Sequence, residues 1–148
     1  MDEKKDSDRL TGIKVIAIVN GLAAVLHLLF WIIAFIRLPA LATQETVHDK
    51  MNLATTYGFG IADLIWSVPF LLIGSIGLWR IKFSGWLGAY LANALYWYSF
   101  TVIIIRDLSA DAVSPGTVVF LPFAVFAFWA AIYLWKIRYS FTHLKTVE

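Results

Sequence analysis

The sequence predicts an all-α membrane protein, a single domain folded as a four-helix transmembrane bundle, on three observations. Of the 148 residues, 60% are apolar and only 15% are charged. Mean hydropathy is +0.75, too high for a soluble domain of this length. Four apolar runs of about twenty residues, the length that crosses a bilayer, fill most of the chain and leave no room for a soluble catalytic domain.

Residues 1–10, MDEKKDSDRL, mix both charge signs with almost no apolar content and read as a flexible, solvated tail. The first span, 13–37, is nearly continuously apolar, with Lys14 able to snorkel at its start, Asn20 and His27 inside, and Arg37 at its end. That run exceeds the 7–15 residues of a signal-peptide core, so it is expected to be a retained helix. In the following loop Val47, Met51 and Leu53 fall roughly on one helical face, which predicts a short interfacial helix capped by Thr43 and running into the second span. Glu45, His48 and Asp49 lie within it. Their spacing does not converge three side chains on one point, so a solvated face is expected there rather than a metal site.

The second span, 57–79, carries one carboxylate, Asp63, and one proline, Pro69. Pro69 has no amide to give Ile65, so a kink or local unwinding is expected just beyond Asp63. Only Arg80 to Ser84 precede the third span, 85–105, which makes spans two and three an antiparallel hairpin. Gly74 and Gly77 on one side, with Gly85, Gly88, Ala89 and Ala92 on the other, permit close backbone approach in lipid. The next loop contains Asp107-x-Ser109-x-Asp111, which opens like a calcium loop. Ala112 and Val118 stand where that motif needs Gly and Glu, which excludes it. The fourth span, 117–135, is Phe-rich, lacks ionisable acids and bases, and contains Pro122. Residues 140–148 read as a second flexible tail.

Nine of the twelve Lys and Arg fall on one side: Lys4, Lys5, Arg9 and Lys14, then Arg80 and Lys82, then Lys136, Arg138 and Lys145. The opposite side has Arg37, Lys50 and Arg106. The positive-inside bias therefore puts both termini in the cytoplasm, and the cell (plasma) membrane is the expected location. A net charge of +2, held in loops and tails, gives no footprint for nucleic acid. The absence of cysteine removes disulfide exchange, iron–sulfur and zinc–thiolate chemistry within the chain.

Counting helix rise from the outer ends of the spans, His27 lies roughly 15 Å deep, Asp63 roughly 12 Å, Tyr96 roughly 15 Å and Asn93 roughly 20 Å. An aspartate near mid-membrane costs about 2.5–3.5 kcal/mol on insertion scales, so it faces a partner or a cavity. The expected site is a polar pocket between spans one, two and three. His27, Asp63, Asn93 and Tyr96 supply its polar groups, and Trp31, Trp66 and Trp97 wall it. No cofactor or metal is expected: haem lacks a second intramembrane histidine, since His48 and His143 sit in a loop and a tail, and zinc lacks a third ligand. The expected function is binding or translocation of a small amphipathic ligand or a proton through Asp63 and His27. Alternatives are a non-catalytic structural subunit of a homo-oligomer or larger membrane complex, and an enzyme acting on a lipid- or quinone-like substrate.

Overall fold

The computed structural model describes residues 2–142, so His143, Lys145 and the rest of the carboxyl-terminal tail lie outside the described residues. The chain is helical nearly throughout. Helix α1 is Asp2–Arg37, a 3₁₀ turn follows at Leu41–Thr43, and α2 is Val47–Ala62; a π-helical turn, Asp63–Ser67, joins it to α3, Val68–Trp79. Helices α4 (Phe83–Ser109), α5 (Pro115–Lys136) and the short α6 (Tyr139–Thr142) complete it. Among the described residues, four helical segments are long and apolar enough to cross a membrane: Ser7–Thr43, Val47–Trp79, Phe83–Ser109 and Gly116–Lys136.

Helix α3 packs between α1 and α4, and α5 packs on α4 with a smaller contact to α1. The α3–α4 pairing is as close as backbones allow. A Cβ on Gly77 would lie 2.3 Å from Gly85 Cα, and one on Gly74 would lie 2.9 Å from Ala89 Cα, so the small residues read from the sequence are the interface. The turn between these helices is tight enough to hold Ile81 at φ 53°, left-handed backbone that a β-branched residue rarely adopts. We call this the turn end of the bundle and the opposite end the loop end. Near the turn end Ile13, Ile16, Leu78, Leu134 and Phe141 form one core cluster. Further along, Ala23, Ala24, Leu71, Ala92, Tyr96 and Ala127 form a second.

Both expected tails are drawn into the fold where they are described. Helix α1 begins at Asp2, with the Tyr133 hydroxyl donating to the Arg9 carbonyl at 2.9 Å and the Arg9 guanidinium to Ser140 Oγ at 3.1 Å. Phe141 is buried in the core, so the segment from residue 140 to 142 is not a free tail. The loop helix also differs from expectation. Its cap is Thr46 rather than Thr43, with Thr46 Oγ1 accepting from the Asp49 amide at 3.1 Å, while the helix runs into the second span as the sequence predicts. At the loop end Asp107 joins α4 to α5. It accepts from the Ser114 amide at 2.7 Å, from the Thr117 hydroxyl, and from the Arg106 guanidinium at 2.9 Å. The acidic loop motif is thus a clamp on a helix start.

Candidate functional site

The site begins with a backbone irregularity that Pro69 imposes. Without an amide at position 69 the regular ladder cannot run through this turn, and the Val68 amide reaches back five residues to the Asp63 carbonyl. Asp63 therefore opens a widened turn, and its side chain points into the bundle with 8% exposure. Ser67, one turn on, donates to Asp63 Oδ1 at 2.9 Å. From α1, His27 and Trp31 are four apart and share a face. His27 Nε2 and Trp31 Nε1 each lie 2.9 Å from Asp63 Oδ2. All four side chains are buried.

Gly60 makes the Trp31 contact possible. A Cβ there would sit 2.5 Å from both the Trp31 ring and the Phe35 ring, so only glycine lets the indole lie across α2 and reach the carboxylate one turn later. Phe35 in turn stacks on Tyr57, ring centroids 5.5 Å apart.

One proton position follows from the donor inventory. An indole N–H can only donate, so Asp63 Oδ2 is an acceptor toward Trp31. The 2.9 Å contact between His27 Nε2 and Asp63 Oδ2 holds one shared proton, donated by whichever partner carries it. The result is an imidazole facing a carboxyl group, held in register by an indole and a hydroxyl.

The remaining expected residues divide. Tyr96 comes close to the site: its ring meets the His27 ring edge-on, centroids 6.0 Å apart. Asn93 is buried but hydrogen-bonds to none of the four, and its amide nitrogen has no partner, as is also true of Asn20. Trp66 and Trp97 do not wall the site. They are 56% and 39% exposed on the outside of the bundle. The i, i+3 rule that would set Trp66 beside Asp63 assumes a regular helix, and the π turn breaks it.

Sequence reasoning missed Ser67, Gly60 and Phe120. Ser67 was visible as a hydroxyl one turn after the carboxylate, and Gly60 as a glycine one turn before it. Phe120, from the fourth span, meets the His27 ring edge-on at 5.3 Å and carried no signal. The cavity beside His27 accordingly lies between spans one, three and four rather than one, two and three. It is lined by His27, Phe30, Tyr96, Phe120 and Phe123 among others, with a volume of about 30 Å³. That is room for a water molecule, an order of magnitude below ordinary small-molecule sites.

The fold and site together define a helical bundle with the composition of an integral membrane protein, built around a buried histidine–carboxylate pair. No protein-family model, curated protein or solved structure matches the chain.

Proposed function

We propose that this protein handles protons within the membrane through the His27–Asp63 pair, binding a proton there and passing it on, with both termini on the cytoplasmic side of the cell membrane. The observation that carries the reading is the 2.9 Å contact between His27 Nε2 and Asp63 Oδ2, buried and next to a water-sized cavity. An ionisable pair out of bulk water is what proton relays within membrane helices use. The small cavity favours a proton over an amphipathic ligand or a lipid- or quinone-like substrate, both of which need far more room. Orientation rests on the excess of Lys and Arg at the turn end and the termini.

Reconstituted protein carrying a pH-sensitive dye in the liposome lumen tests the reading. Under an imposed pH gradient the wild type should dissipate the gradient, and Asp63→Asn, checked for helical content and monodispersity, should slow it by tenfold or more. Equal rates in wild type, folded Asp63→Asn and empty liposomes would sink it.

A second reading is favoured by one specific observation: three hydrogen-bond partners from two spans converge on one carboxyl group. Such a node fastens helices, as a non-catalytic subunit of a larger membrane assembly requires. It predicts no proton flux in the wild type, together with a loss of stability in the same variants.

A further inference from the structure

A second recess lies on the bundle's outer face between α1 and α3, toward the turn end, with a volume of about 540 Å³. Its floor is made of small residues, Ala17, Gly21 and Ser75. There the helices close up: a Cβ on Gly21 would lie 2.9 Å from Ser75 Oγ, so the recess is a groove against α1 and α3, not a gap between them. Ile18 and Ile76 form apolar walls, and both are more than half exposed. Trp79 and Arg80 line the end nearest the turn.

The charge in its lining is of one sign. Arg80 is exposed and belongs to the lining, and no carboxylate does. Lys14 lies one turn before Ile18 on the same face of α1 and is also exposed. With Gly21 facing Ser75 across antiparallel helices, Lys14 and Arg80 lie about 10 and 8 Å further toward the turn end, so they flank the same mouth. Trp79 is the amphipathic ring that belongs at a headgroup boundary. A groove with apolar walls, an interfacial tryptophan and two cations at its mouth matches one kind of molecule in the surrounding bilayer.

We propose that this groove binds a single anionic phospholipid from the leaflet at the turn end. Its headgroup phosphate and net negative charge rest on Arg80 and Lys14, and the upper part of one acyl chain lies over Ala17 and Gly21 between Ile18 and Ile76. The assignment is independent of the proton reading, since it uses none of the Asp63 cluster.

Native mass spectrometry of protein released from liposomes of phosphatidylcholine with one-tenth phosphatidylglycerol tests it. Wild-type protein should retain phosphatidylglycerol well above its share of the bilayer. A basic residue near a membrane surface contributes about 1 kcal/mol toward anionic lipid, which is about fivefold in retention. Arg80→Gln with Lys14→Gln should therefore lower the ratio of retained phosphatidylglycerol to phosphatidylcholine by tenfold or more. The charge-keeping pair Arg80→Lys with Lys14→Arg should retain it, which separates charge from any loss of fold. Arg37→Gln, at the loop end, should leave it unchanged. Equal enrichment in wild type and the neutralised pair would overturn the proposal, as would an equal loss in Arg37→Gln.

Discussion

Two layers of buried polar side chains sit in this bundle, and they are built on opposite terms. In the layer at Asp63, one carboxyl group collects three hydrogen-bond partners at 2.9 Å, His27, Trp31 and Ser67. In the layer nearer the turn end, Asn20 and Asn93 are as deeply buried, yet the amide nitrogen of each has no partner. The difference lies in the backbone. Around Asp63 a glycine and a π turn let two aromatic or heteroaromatic side chains approach the carboxylate. Around Asn20 the same means, a glycine, serves helix packing instead: a Cβ on Gly74 would lie 2.9 Å from Ala89 Cα and 3.0 Å from Asn20 Nδ2. One layer uses close approach to complete a hydrogen-bond network. The other uses it to bring helices together and leaves the amides short of partners.

If that contrast is right, substitutions in the two layers should differ in size and in sign. The largest effect is expected for Asp63→Ala. It strands three buried hydrogen-bonding partners and should cost about 3–5 kcal/mol, the scale seen when one partner of a buried pair is removed. Equilibrium unfolding in mixed detergent micelles, followed by helical circular dichroism, measures it. Trp31→Phe keeps an aromatic ring but leaves the buried Asp63 acceptor one donor short, for an expected loss of about 1–3 kcal/mol in the same titration. A loss as small as that of an exposed tryptophan such as Trp66→Phe would remove the indole from the network.

Gly60→Ala tests the support of the network without touching its polar atoms. The added methyl meets the Trp31 and Phe35 rings, and the expected cost is about 1–3 kcal/mol. A change in near-ultraviolet circular dichroism should accompany it as the indole is displaced, and stability loss without that change would point to α2 alone. The smallest effects belong to the other layer. Asn20→Leu or Asn93→Leu replaces an underbonded amide with an apolar group of similar size, so stability should stay within about 1 kcal/mol of the wild type and tend upward. A loss of 2 kcal/mol or more in either variant would show that the amides are partnered in the membrane and would erase the contrast.

Much of the bundle was legible because membrane spans are set by length and polarity. The run ending at Arg37 and the run ending at Trp79 stop where the helices stop. The Gly and Ala residues read as a packing seam meet there, since a small side chain at helical spacing has little other use in lipid. Depth was legible too, because helix rise is constant: His27 and Asp63, each placed by counting, do meet. Rotation about the helix axis was not. Trp66 was expected beside Asp63 and faces outward, because the π turn adds a residue to that turn. Phe120 was passed over because nothing in a uniformly apolar span marks the side that meets a histidine. At Arg9 and Ser140, within the stretches read as tails, the structure differs for a related reason. Charge composition suggested solvated chain, but the bonds of Arg9 to Tyr133 and Ser140 bridge residues more than a hundred positions apart.

The sequence by itself determined that there are four long apolar helices, that spans two and three form a hairpin with Gly and Ala between them, and that a histidine and an aspartate lie at one depth. Each of these follows from local quantities: residue polarity, helix rise and loop length. Only the tertiary structure decided which donors the aspartate collects, which aromatic rings turn inward, and that two asparagines are buried without full partners. Those outcomes depend on the rotation and separation of neighbouring helices. Packing sets them through contacts far apart in sequence, at Gly60 against Trp31 and Gly77 against Gly85, where the presence or absence of one methyl group governs the approach.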